Sequence, residues 1–83
     1  MTTTTIEFTR DEIVQRGKEI YYRDIASVVE VGNYGRVVAI DVCTGEYEVG
    51  DDAIVSAAKL RARLPDAVIF FMRVGYPTMA RVL

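Results

Sequence analysis

The chain has 83 residues and a net charge of −2 from ten basic and twelve acidic side chains, with one cysteine and no histidine. That length suits one domain, and that balance raises no field able to gather nucleic acid or anionic lipid wholesale. One cysteine excludes an internal disulfide, and the lack of histidine removes the commonest general base and the commonest neutral metal ligand.

Hydrophobic residues make up 51% of the chain, and the mean hydropathy is positive. A small globule has difficulty hiding so much apolar surface, so the composition points to a second subunit, a homodimer, the alternative being a tightly filled monomer with ordinary exposed Val and Ala. The opening MTTTTIEFTR has no positive n-region and no apolar h-region, and the apolar run from Ala67 to Met72 is far too short to cross a bilayer. The expectation is a soluble cytoplasmic protein.

In chain order, Thr2 to Thr5 is a low-complexity run expected to fray, and Ile6, Glu7 and Phe8 are expected to lie extended. Thr9 followed by Glu12 fits a capping box, with Phe8 placed to pack on Ile13. From there Ile13, Gly17, Ile20, Tyr21 and Asp24 recur at helical spacing, while Glu12 with Arg16 and Glu19 with Arg23 stand in the favourable i,i+4 order. Gly17 costs a helix about 1 kcal/mol relative to Ala, so its expected use is the close approach of another backbone or an aromatic ring. The first helix ends between Asp24 and Val29, ahead of the break Gly32-Asn33-Tyr34-Gly35.

GRVVAIDVCTGEYEVG, from Gly35 to Gly50, alternates, turns at Thr44-Gly45 and alternates again, which reads as a β-hairpin. An even loop places Val38, Ile40, Val42, Tyr47 and Val49 on one face, whereas an odd loop would bury Glu46 and Glu48. The even register is therefore expected, with Val42 opposite Tyr47 and Asp41 opposite Glu48. A second helix opens at Gly50-Asp51-Asp52, with either aspartate as the cap, and stops at Leu64 ahead of Pro65. Its expected buried stripe is Ala53, Ala57, Leu60 and Leu64.

Ala67 to Val74, AVIFFMRV, is a strand apolar on both faces, which requires cover on both sides. One cover is the second helix; the other is the first helix or another subunit. Gly75-Tyr76-Pro77 reads as a turn, and Thr78 to Leu83 as a final strand. The order α-β-β-α-β-β gives an α+β fold with a small, mostly antiparallel sheet of strand order 2-1-3-4.

The segments GKEIYYRDI, GRVVAIDVCTGEYEVGDD and LRARLPDAVIFFMRVGYP resemble a family of short uncharacterised bacterial proteins over about Thr9 to Pro77. Some of its members are loosely described as antitoxin-like or as partners of a neighbouring gene product. The resemblance implies a small interaction protein and carries over no catalytic or binding residue.

For chemistry, Cys43 has no histidine or nearby lysine in sequence to activate it and reads as structural. Asp41, Glu46 and Glu48 gather on the other face of the hairpin, with Asp51 and Asp52 close in sequence, and no basic residue occurs between Val37 and Ala58. Such a patch suits a hard cation or a basic partner, or else a solvated edge that resists sheet-to-sheet pairing, which is the preferred reading. Lys59, Arg61 and Arg63 do not share a helix face, so no basic stripe forms for nucleic acid, although dimerisation could align Arg73 and Arg81. Tyr22, Tyr34 and Tyr76 fall on the far helix side or in turns, and tyrosine is favoured in protein interfaces. With Ile69 and Phe71 they form the candidate interface.

The leading expectation is a cytoplasmic protein-protein interaction module, homodimeric, with no cofactor and no recognisable catalytic constellation. The alternatives are a ligand-binding protein, metal protein or enzyme built on the acidic face, and a nucleic-acid-binding regulator.

Overall fold

A computed structural model describes residues 8–82, with the backbone alone considered over 77–80. The expectations for Thr2 to Thr5, Ile6 and Glu7 and the terminal Leu83 lie outside the described residues.

Helix formation starts at the expected cap. The Thr9 hydroxyl accepts the Glu12 N–H at 3.1 Å, and Glu12 Oε1 accepts the Thr9 N–H at 2.8 Å, so two otherwise orphaned donors are satisfied. Helix α1 runs Arg10–Ile20, a π-helical turn follows at Tyr21–Ile25, and α2 completes the rod at Ala26–Val29. The joining residues Ile20 and Ala26 keep right-handed helical dihedrals, so the axis is continuous. The wide turn is closed by the Ala26 N–H donating to the Tyr21 carbonyl, and it rephases the helix. Ile25, Ala26 and Val29 turn inward, and Asp24, expected on the apolar face, turns outward. A buried, unpaired aspartate would cost several kcal/mol.

The expected i,i+4 partners are replaced on this rod. Arg23 donates to Asp24 at 2.8 and 3.0 Å. Arg16 reaches across to the Val42 carbonyl at 3.1 and 3.3 Å. Gly17 does what its position predicted: a Cβ there would lie 2.9 Å from Phe70 Cβ and overlap the Phe70 ring.

Strands β1 (Val37–Asp41), β2 (Tyr47–Gly50), β3 (Ile69–Arg73) and β4 (Tyr76–Val82) form one sheet of order β2-β1-β3-β4, with every neighbouring pair antiparallel. Helix α3 (Ala53–Arg63) links β2 to β3, which therefore run the same way on either side of β1. This is the expected α+β topology.

Two apolar clusters flank the sheet. Ile20, Tyr21, Ile25 and Val29 of the first rod pack on Val38, Ile40, Phe70, Met72 and Val74. On the opposite face Ala57 and Leu60 of α3 pack on Val37, Ala39, Ile69 and Phe71. Both covers of β3 thus come from this chain. Ile69 and Phe71, expected at an interface, are buried under α3 because alternation turns them to the face on which the crossover helix docks.

The hairpin keeps the expected parity but slips by two residues. Val38 pairs with Val49, Ala39 with Glu48 and Ile40 with Tyr47. The loop is four residues, Val42 to Gly45, closed by the Asp41 N–H donating to the Glu46 carbonyl at 2.8 Å. A slip of two preserves the faces, so parity could not detect it. The Asp41 side chain selects it. Its Oδ1 accepts the N–H groups of Cys43 (3.2 Å) and Val68 (3.1 Å), and its Oδ2 accepts the Thr44 hydroxyl (2.9 Å).

Asp52 is the cap of α3, accepting the Val55 N–H at 2.9 Å, while Asp51 lies 3.5 Å from Arg36. Of the expected stripe Ala57 and Leu60 are buried while Ala53 and Leu64 are half-buried, and Ser56 joins the buried set because its hydroxyl donates back to the Asp52 carbonyl at 3.0 Å. The final turn is tighter than expected: β4 starts at Tyr76, paired with Arg73. Pro77 therefore lies inside a strand, tolerated because β4 is at the sheet edge.

Candidate functional site

The expected acidic face does not stand open. Asp41 is buried, with its carboxylate spent on the loop. Glu46 is exposed and Glu48 half-buried, and the two are bridged by Arg63, whose Nε donates to Glu48 at 2.9 Å and whose Nη1 donates to Glu46. Lys59 adds a bond to the Val49 carbonyl at 3.0 Å. The sequence gap in basic residues is thus closed from a helix more than ten positions away. Among the described residues no three Asp, Glu or Cys side chains are grouped as a metal site.

Cys43 edges a polar groove of about 350 Å³ with Arg16, Glu19, Arg23 and Asp24. Burial pushes its thiol pKa up, and Asp41 adds to the rise, the opposite of what an attacking thiolate needs. Of the basic residues weighed for nucleic acid, Lys59 and Arg63 are tied to β2. Arg73 donates to the Gly35 carbonyl at 2.6 Å, and Arg81 lies over the Phe71 ring at 5.8 Å.

The tyrosines, scattered in sequence, converge at one end of the sheet. The π-helical turn supplies Tyr21 and Tyr22, whose rings meet edge to face at 5.1 Å. The loop before β1 supplies Tyr34, and the first residue of β4 supplies Tyr76, with ring centroids 5.3 Å apart. That loop is held to the β3–β4 turn by the Gly35 N–H donating to the Val74 carbonyl at 2.9 Å and the Val74 N–H donating to the Arg36 carbonyl at 2.8 Å. Gly75 completes the joint. Its φ is +83°, and the Tyr34 ring lies so close that a Cβ there would collide with it. The Tyr76 hydroxyl in turn raises the pKa of Tyr34.

Tyr22, Tyr34 and Tyr76 are 55%, 69% and 41% exposed, against 2% for Tyr21. Between Tyr22 and Tyr76 opens a cleft of about 210 Å³ lined also by Tyr21, Glu30, Met72 and Arg73, with Tyr34 packed on Tyr76 outside its lining. The Tyr21 hydroxyl is buried with no hydrogen-bond partner among the described residues. Burial raises its pKa and the Glu30 carboxylate raises it further, so the group is a neutral hydroxyl in a negative field. Three of the five expected interface residues meet here. Tyr21, Glu30 and Met72 were missed: Tyr21 reads as core by periodicity, and nothing in sequence places Glu30 beside it.

A second open feature lies on the other face, where α3 leaves β4 uncovered. It is an apolar groove of about 520 Å³ between Ala53, Ile54, Ala57 and Ala58 on one side and Phe71 and Val82 on the other. Ile54 is 81% exposed beside it. Among the described residues no helix is long and apolar enough to cross a membrane. Comparison of the chain with known protein families, with curated proteins and with solved structures finds no match.

Proposed function

We infer that this chain is a small protein-protein interaction module that engages its partner through the tyrosine cleft, in a cytoplasmic setting. One observation carries the reading: Tyr22, Tyr34 and Tyr76 come from three separate segments and are exposed, Tyr22 and Tyr76 lining one cleft and Tyr34 packing on Tyr76 beside it. Large amphipathic rings on a fixed support offer contact area at low conformational cost and keep a polar handle for the rim. The resemblance to short bacterial proteins, some described as antitoxin-like, supports the same class, with antitoxin-like pairing as one form of it. Capture from native lysate with the chain and with a Tyr22→Ala, Tyr34→Ala, Tyr76→Ala variant tests it. A stoichiometric partner held by the chain and lost by the variant is expected; an identical catch from both would overturn the reading.

The apolar groove beside α3 supports a homodimer as well. It adjoins β4, an edge strand whose outer backbone groups have no partner strand, and edges of this kind are natural pairing templates. Mass measurement in solution should give two chains, and Ile54→Lys should give one. A monomer at every concentration would remove the dimer and leave the tyrosine cleft standing.

A further inference from the structure

We propose that the groove between α3 and β4 seats the α3 helix of a second copy, antiparallel to its own, with Ile54 of each copy entering the groove of the other. The proposal rests on the dimer reading above and names how the two copies meet.

The two flanks of α3 are treated differently. On the β2 side Lys59 donates to the Val49 carbonyl at 3.0 Å and Arg63 to the Tyr47 carbonyl at 3.2 Å, so that flank is closed. On the β4 side the groove of about 520 Å³ stays open, with Ile54 and Ala58 exposed along it. Pro77 and the register shift between Phe71 and Arg73 interrupt the edge of β4, so the groove, more than the strand edge, carries the specificity of the contact.

Charge decides the occupant and its direction. The charged residues that line the groove are Arg61 and Arg81, and among the described residues neither is in an ion pair. Arg61 lies in the last turn of α3, whereas the helix starts at Asp51 and Asp52, both exposed. The open flank of α3 is therefore acidic at its start, apolar at Ile54 and Ala58, and basic at its end. A copy laid in the same direction would set acid on acid and base on base. Turned about a two-fold axis, the same helix sets the aspartates of each copy against the guanidiniums of the other, and one rotation makes both contacts. Opposite charges at the two ends thus fix the antiparallel alignment and reject the parallel one.

The spacing fits this alignment. An axis between Ala57 and Ala58 brings Arg61 level with Ile54 of the second copy, and at about 1.5 Å per residue Asp51 lies only about 4.5 Å further along, within reach of a guanidinium. Alanine at the crossing lets two helices approach to about 8 Å.

The test uses the full chain, with sedimentation equilibrium from about 1 µM to 1 mM. Arg61→Glu and Asp51→Arg should each weaken the dimer about tenfold, and the two together should restore it to within about threefold of the parent chain. In a Cys43→Ser background, Ala58→Cys should give a disulfide-linked dimer on oxidation, because a residue beside the axis lies within about 7 Å of its copy. Lys59→Cys, on the closed flank, should not. All these positions are exposed, and an unchanged far-UV spectrum separates loss of the dimer from unfolding. A dimer indifferent to Arg61→Glu, a double variant no tighter than the single ones, or no disulfide with Ala58→Cys would overturn the proposal and assign the dimer to another surface. A monomer at every concentration would overturn the proposal and the dimer reading together.

Discussion

Two buried polar side chains, Asp41 and Tyr21, sit on opposite faces of the same sheet and are treated in opposite ways. Asp41 gives its carboxylate to three donors, from Cys43, Thr44 and Val68, and so ties the hairpin loop to the start of β3. Tyr21 is as deeply buried, yet its hydroxyl meets no partner among the described residues. Folding by itself selects against the second situation, since an unpaired buried group costs about 1–3 kcal/mol. The contrast separates a polar group that ties two segments of the fold together from one whose burial brings no bond among the described residues.

Substitution at the first site should have the largest effect. Asp41→Ala removes three bonds and leaves the half-buried Val68 N–H without its acceptor, so unfolding in denaturant should show a loss of about 2–4 kcal/mol. A loss under about 1 kcal/mol would mean that the hairpin closes without the clasp. Gly17→Ala comes next, because the new Cβ would overlap Phe70, which is fully buried. Overpacking costs about 1–3 kcal/mol, and the better helix propensity of alanine returns about 1 kcal/mol of it. A stabilised Gly17→Ala variant would show that the rod docks on β3 less closely than the structure has it.

Tyr21→Phe is the sharper comparison with Asp41. Deleting an unpartnered hydroxyl should leave stability unchanged or raise it by about 1 kcal/mol, measured in the same denaturant series. If the variant instead loses more than about 1 kcal/mol, the hydroxyl is satisfied in the folded chain and the contrast fails.

The smallest effect is expected at the Glu12 capping box, where bonds from Thr9 hold the carboxyl below its ordinary value of 4.5. A depressed carboxyl pKa favours the folded state above the unfolded value, and the benefit is lost as pH falls through the folded pKa. The Tm difference between the parent chain and Glu12→Gln should therefore be full at neutral pH and close below about pH 4.5. A difference that persisted in acid would assign the effect to something other than this charge.

Much of the fold was legible because local chemistry and tertiary packing agree. Thr9 and Glu12 cap the first helix, Pro65 stops the last, and the two-sided apolar character of Ile69 to Val74 does mark an interior strand. Asp24 was misplaced because a uniform 3.6-residue period cannot anticipate a π-helical turn. The pairing of Asp41 with Glu48 failed for another reason. Alternation is blind to a slip of two, and the Asp41 carboxylate, expected in solvent, decided the loop length.

The candidate site was legible only in part. Tyr22, Tyr34 and Tyr76 could be singled out as exposed aromatics, but their meeting depends on the β3–β4 turn, which carries Tyr76 to Tyr34 across more than forty residues of chain. Glu46 and Glu48 looked like an open acidic patch until α3 folded back and placed Arg63 between them.

The sequence by itself determined the element order, the inward faces apart from Asp24 and Asp41, and the close approach at Gly17, because periodicity, capping and side-chain size act over a few residues. Only the tertiary structure decided that both covers of the sheet come from one chain, that Asp41 is a clasp, and that four tyrosines share one corner. Those outcomes depend on contacts between distant segments, and local pattern carries no information about which segments meet.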